Sequence, residues 1–378
     1  MIRLTFHEPM PSTHAKPTYW DYLGLEELLS LQDGLPDGEE PSADELHFII
    51  VHQVFELWFK LVLRELRLAR DAVSAEMVPE DSIPSVVRHL QRVSKIFEHS
   101  MSQWAVMETL TPQDFLEFRD KLVPASGFQS FQMRELEILM GLDAAQREAS
   151  GFGDPVRVIS ELAEDSPAGR LAKQRVLDAM KERNLKQALQ EWLFRTPIQG
   201  SSPADDGDEA ALETFITKYV EAQGTHLANQ ARIYGTQGTV SEADARVRLE
   251  KTLDQTKHFL RADDVDPPEE RATRSRVRCA ILFIESYREL PLLAWPRTLL
   301  DAVVDLEELM LLFRTRHVRM VERVIGRRMG TGGSDGVSYL EETLKYRIFT
   351  DLWTVRTILL PRAALPQLEN PEYYAFKA

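Results

Sequence analysis

No second cysteine exists for Cys279 to pair with. An intramolecular disulfide is therefore excluded, and so is a thiolate cluster for structural zinc or an iron–sulfur centre; a reducing, cytoplasmic setting is the expectation. Positive charge is also scarce: 45 lysines and arginines against 60 aspartates and glutamates leave a formal net charge of -15. Phosphate binding needs a basic face that displaces counterions, so nucleic acid is not an expected partner, and an anionic membrane is disfavoured on the same ground. Long apolar runs are lacking as well. Residues 1–20 carry prolines, histidines and charges instead of the apolar core, about 7–15 residues long, of a secretory signal. No uncharged run long enough to span a bilayer follows, so the expectation is a soluble, intracellular protein.

Strand-like alternation is missing too, and what stands in its place is helical periodicity. From Asp44 to Val73 apolar residues recur at Phe48, Val51, Phe55, Trp58, Val62 and Leu66, spacings of three and four that put them on one face of a helix. Ser42 and Glu45 fit a capping box at its start. Thr111-Pro112 with Asp114 reads as a second helix start, since proline suits the first turn and an acid suits the dipole. Further helices are expected over 22–31, 82–104, 112–122, 129–140, 170–193, 209–223, 242–260, 274–290 and 296–328. The fold class is all-α. Loop excursions at 200–208 and 262–271 are too short to be clear interdomain linkers, and no internal repeat is evident, so a single helical domain over 1–378 is expected.

Chemistry-bearing residues are few. His52 lies in an almost wholly apolar helical segment, 48–60. An isolated histidine there is ordinarily a core residue satisfied by a carbonyl or by Glu56 one turn on; facing a pocket, it would be a neutral imidazole able to hydrogen-bond a ligand N–H. His317 lacks the companion ligands that zinc or non-haem iron requires, but a porphyrin brings four nitrogens of its own and needs only one imidazole. Around it Arg314, Arg316, Arg319, Arg323, Arg327 and Arg328 form either a solvated helix face or receivers for anions such as haem propionates or a substrate carboxylate. The glycine-rich run 330–336 lacks the lysine of a phosphate-binding loop, leaving a linker or a loop whose backbone and Thr331 hydroxyl approach a small polar ligand. Arg119 is explained by a surface pair, or, pointing inward, by a carboxylate grip.

Taken together these stretches resemble the tryptophan 2,3-dioxygenase family. The likeness rests on Tyr19-Trp-Asp-Tyr-Leu-Gly-Leu-Glu-Glu-Leu-Leu-Ser-Leu-Gln32, on 44–60, on Gln103-Trp-Ala-Val-Met-Glu-Thr-Leu-Thr-Pro112, on Phe118-Arg-Asp through Pro124-Ala-Ser-Gly-Phe-Gln-Ser130, and on Arg316-His317 through Gly336, all in family order. The resemblance implies an all-α protein that binds haem b, usually a homotetramer, in which O2 is the co-substrate and an indole amino acid is cleaved at C2–C3 to N-formylkynurenine. It also implies roles: His317 as axial ligand of the haem iron, and His52 as the catalytic distal histidine near the indole N–H. Arg119 would hold the substrate carboxylate, and Thr331 would reach its ammonium and carboxylate. Phe48, Tyr22, Leu23 and Phe115 would line the indole pocket, Tyr19 would come from a neighbouring subunit, and Trp104, Ser126 and Gly127 would lie against the haem.

Three positions depart from the family pattern. Asp335 replaces the second serine of the glycine-rich loop, Phe313 stands where tryptophan is frequent, and Met133 replaces a frequent aromatic. They keep two other readings open: a related haem oxygenase, monooxygenating a substituted tryptophan, and a non-catalytic haem- or indole-binding protein.

Overall fold

The computed structural model describes residues 18–34, 40–123, 129–148, 166–236, 241–328 and 336–375. Among these residues every regular element is a helix, apart from an isolated bridge between Ile198 and Ser201, so the all-α expectation holds.

At the N-terminus the helix expected over 22–31 is two short ones, α1 (Tyr19–Leu23) and α2 (Leu25–Leu29). Gly24 between them has φ 58°, the left-handed region that glycine enters without a Cβ clash. Gln53 of the next helix donates to the Leu31 carbonyl (2.9 Å) and accepts from Gln32 Nε2 (2.7 Å), fastening the end of this segment.

That next helix, α3 (Ala43–Val73), begins at Ser42, whose hydroxyl accepts from the Glu45 N–H at 3.2 Å. Glu45 does not complete the expected capping box; its carboxylate accepts instead from Lys121 Nζ at 3.0 Å. Val51, Phe55, Val62 and Leu66 are buried as their spacing requires, while Phe48 and Trp58 at the stripe's edges are half-buried. By length and composition α3 could cross a bilayer. Here one face lies on the core, and Leu46, Ile50 and Leu57 form an exposed stripe on another.

The second long helix, α4 (Ile83–Met107), carries proline in its first turn and buries Val86, Leu90, Val93, Phe97 and Trp104. After α5 (Pro112–Phe118), capped by Thr111, the chain tightens into a 3₁₀ turn over Arg119–Leu122. Ser130 then caps α6 (Phe131–Met140), and α7 (Ala144–Glu148) follows.

The helix expected over 170–193 is interrupted. It is two helices, α8 (Pro167–Ala179) and α9 (Leu185–Arg195), and a reciprocal cap starts the second: Asn184 Oδ1 accepts from the Gln187 N–H at 2.8 Å, and Gln187 Oε1 accepts from the Asn184 N–H at 3.1 Å. The break is only five residues long, Met180 to Asn184, and apolar periodicity resumes directly at Leu185, which is why periodicity alone merges the two. Asn184→Ala is expected to cost about 1 kcal/mol, seen as a lower urea midpoint at unchanged m-value.

Helix α10 (Asp208–Thr236) continues well past the expected end at Gln223, and α11 (Glu242–Leu260) lies along it. Helix α12 (Arg271–Ser286) is buried without interruption from Ser275 to Ile284. The third long helix, α13 (Ala294–Val324), packs along α4, and α14 (Gly336–Thr343) and α15 (Thr350–Ile358) close over it. One continuous apolar cluster joins α3, α4, α5, α6, α9, α10, α12, α13 and α15. The frame of α3, α4 and α13 is what brings residues far apart in sequence to one place.

Candidate active site

Between α3, α4, α6, α13 and α14 lies a cavity of about 110 Å³. His52 enters it from α3, Trp104 from α4, Met133, Arg134 and Glu137 from α6, Phe313, Arg314 and His317 from α13, and Leu340 and Thr343 from α14. Helical spacing explains the α13 set: 313, 314 and 317 lie within one turn of one another.

The two histidines share the cavity and differ in their partners. The Nδ1 of His52 lies 2.8 Å from the Phe48 carbonyl oxygen, which can only accept, so this nitrogen is the donor. Its Nε2 is then an acceptor without a partner among the described residues. Burial is the main reason the His52 pKa falls below its ordinary value, and the Phe48 carbonyl and Glu56 oppose it. His317 is also held neutral: burial first, then His52, Arg134 and Arg314, push its pKa down to about 3. A neutral imidazole is the form that ligates a metal. The His317 ring stacks on Trp104, centroids 4.7 Å apart and planes at 1°. Trp104 in turn stacks on Phe55 at 4.1 Å and meets Phe313 at 5.5 Å. These contacts fix the imidazole plane through the core itself.

The opposite wall is polar. Glu137 Oε1 accepts from Arg314 Nη2 at 2.8 Å, and Oε2 pairs with Arg134 Nη1 at 2.9 Å. Arg134 Nη1 also donates to the Tyr339 hydroxyl (3.2 Å), and Arg314 Nη1 donates to the Thr343 carbonyl (3.1 Å), tying α14 to the wall. Among the described residues, Trp104 Nε1 and Arg134 Nε are buried donors without a hydrogen-bond partner.

His52, His317 and Trp104, 265 residues apart at the extremes, thus line one cavity. Phe48 reaches it through His52, with ring centroids 4.1 Å apart, and buried Phe115 lies 5.9 Å behind Phe48. Arg119 is half-buried on the 3₁₀ turn that follows α5. Tyr22 and Leu23 are 80% and 44% exposed and Tyr19 is 70% exposed, so within one chain none of them walls the cavity. Ser126, Gly127, Thr331 and Asp335 lie outside the described residues.

Four of the arginines around His317 are paired with carboxylates among the described residues. Arg314 is buried on Glu137, Arg316 makes a two-pronged pair with Glu108 (2.8 Å for each contact), Arg319 pairs with Glu322 (2.6 Å), and Arg327 pairs with Glu341 (3.1 Å). Periodicity misses Arg134 and Glu137, because both stand among buried positions of α6. The one visible hint is a run of charged residues inside a helix with no polar face of its own.

The tryptophan 2,3-dioxygenase family model matches residues 9–359. A tryptophan 2,3-dioxygenase of Sorangium cellulosum is 46% identical over 370 residues, 95% of this chain and 87% of that protein. Tryptophan 2,3-dioxygenase 2 of Ralstonia nicotianae is 45% identical over 375 residues, 95% of this chain and 97% of that one. The tryptophan 2,3-dioxygenase of Anopheles gambiae is 34% identical over 366 residues, covering 93% and 88%. A match that runs through the His52 helix, the Trp104 helix and the His317 helix alike means that this chain belongs to the tryptophan 2,3-dioxygenase family.

Proposed function

We propose that the chain is a haem-dependent tryptophan 2,3-dioxygenase, a single-domain enzyme that adds both atoms of O2 across the C2–C3 bond of L-tryptophan to give N-formylkynurenine. The observation that carries this reading is the pair His52 and His317, both neutral, facing one cavity in a chain of this family. Both oxygen atoms end in the product, so no external reductant is consumed in the turnover itself.

The residues present fit haem. Among the described residues no group of three or more histidine, cysteine, aspartate or glutamate side chains could hold a metal ion unaided, whereas a macrocycle needs a single imidazole. His317 supplies it, beside an apolar wall of Trp104, Phe55, Phe59 and Phe313, and two buried donors without a partner among the described residues border the same cavity, Trp104 Nε1 in that wall and Arg134 Nε in the polar one. Haem b, when bound, supplies the iron that takes up O2.

The chain's own task is to place and shield the indole. His52 Nε2, the acceptor, takes a hydrogen bond from the indole N–H. Phe48 and Phe115 form the aromatic side of the indole pocket and keep water out. Arg119 grips the substrate carboxylate, and Thr331 reaches its ammonium group. The 70%, 63% and 80% exposure of Tyr19, Trp20 and Tyr22 supports a homotetramer in which this segment is covered by a neighbouring subunit. The one free thiol, Cys279, is buried and supports a soluble cytoplasmic enzyme.

The test is anaerobic reduction of haem-loaded protein followed by L-tryptophan and O2, with the product weighed. Two added oxygen atoms support the dioxygenase. One added oxygen on a substituted tryptophan would replace it with the monooxygenase reading, to which Met133 and Phe313, both in the cavity wall, lend themselves. Haem that turns over no indole would leave a binding protein. In the same assay Arg119→Ala is expected to keep the Soret band and raise KM for L-tryptophan roughly 30-fold, about 2 kcal/mol of partly desolvated carboxylate binding. Loss of the Soret band in that variant would contradict the assignment.

A further inference from the structure

Arg134, Glu137 and Arg314 are the charged side chains of the cavity wall that are almost wholly buried, with side-chain exposures of 8%, 1% and 10%. Two guanidiniums face one carboxylate, so the cluster holds one positive charge in excess. Its other neighbours do not cancel that charge. Tyr339 and Tyr346 stay neutral phenols, burial being the first cause that raises both pKa values, that of Tyr346 to about 12. The Thr343 carbonyl is uncharged, and Glu56, the remaining carboxylate in the wall, is half-exposed beside His52, where its carboxylate accepts from Gln132 Nε2 at 2.8 Å. Arg314 precedes His317 by three residues on α13, so both side chains leave the helix on the same face, and both line the cavity with Arg134.

We propose that Arg134, Glu137 and Arg314 form a charge-tuning cluster for the iron that His317 holds, its excess positive charge favouring the ferrous over the ferric state. The inference rests on the haem reading of the cavity. Reduction lowers the charge at the iron by one, and a fixed buried cation nearby stabilises the less positive form, more so where water does not screen it. The ferrous form is the one that takes up O2, so the cluster keeps the enzyme in its working oxidation state without touching the substrate. Glu137 sets the size of the effect by cancelling one of the two cations. All three are tuning residues, acting through the iron.

The experiment is an equilibrium redox titration of the haem-loaded full chain, followed at the Soret band, for the wild type and three variants. Arg134→Gln removes a positive charge and is expected to lower the midpoint potential. Glu137→Gln removes the negative charge and is expected to raise it. The size anticipated is about tenfold in the ferrous-to-ferric ratio at fixed potential, or about 59 mV for a one-electron couple. Arg134→Lys, which keeps the charge while breaking the geometry, is expected to stay near the wild-type value. A role confined to packing would move both glutamine variants the same way, and that outcome, or shifts no larger than that of Arg134→Lys, overturns the proposal. Should Glu137→Gln fail to fold, the comparison of Arg134→Gln with Arg134→Lys decides alone. A wild type without a Soret band would sink the haem reading itself, whereas an intact Soret band with an unmoved potential sinks only the tuning.

Discussion

His317→Ala, expressed and supplied with haem, is expected to purify folded and without a Soret band. A macrocycle needs one imidazole from the protein, and among the described residues no histidine, cysteine, aspartate or glutamate cluster stands ready to replace the lost one; His52, the other histidine in the cavity, belongs to α3 and is assigned to the substrate side. Removing one side chain that borders a cavity leaves the apolar cluster of α3, α4 and α13 in place, so far-ultraviolet circular dichroism should be close to that of the wild type. Added free imidazole should restore part of the Soret absorbance by filling the vacated position. The decisive contrast is His52→Ala, which should keep haem and lose turnover. A His317→Ala protein with normal haem content, or haem lost from His52→Ala instead, would reverse the two roles.

Trp104→Ala is expected to remove about 3–5 kcal/mol of stability, among the largest effects open to a single core substitution. Trp104 is 4% exposed and serves two structures at once. It fills the junction of α3, α4 and α13 by stacking on Phe55 at 4.1 Å and meeting Phe313 at 5.5 Å. It also lies flat on His317 at 4.7 Å. The alanine variant should therefore unfold at lower urea and also bind haem more weakly, because the imidazole is no longer held in one plane. Trp104→Phe separates the two contributions: it should recover most of the stability, since an aromatic ring still packs on Phe55, while haem affinity stays below the wild type if the wider indole face is what orients His317. Equal recovery of both by phenylalanine would mean that the stack matters only as volume.

The frame of the fold is legible because its helices are long and their buried faces regular. Ser42, the stripe Val51, Phe55, Val62 and Leu66, and the Thr111-Pro112 start all do what their spacing says. Errors fall where a local signal competes with that rhythm. Gly24 breaks a helix whose apolar residues continue, and the Asn184–Gln187 cap was present in the sequence but overridden by the repeat around it. Candidate site residues divide in the same way. Nothing in periodicity links His52 to His317; only the family likeness pairs them, and the packing of α3 and α13 on α4 then puts both into one cavity. Arg134 and Glu137 stayed hidden because a buried ion pair and a solvated helix face look alike in one dimension.

The two faces of α3 carry a consequence for anyone redesigning this protein. His52 and the exposed stripe of Leu46, Ile50 and Leu57 belong to the same stiff rod, and Gln53, which fastens the end of the N-terminal segment, is the very next residue after His52. Replacing the stripe with lysines to improve solubility would therefore place new charge on the same helix that carries His52 into the cavity. In this helix surface tolerance and active-site tolerance cannot be scanned as separate libraries.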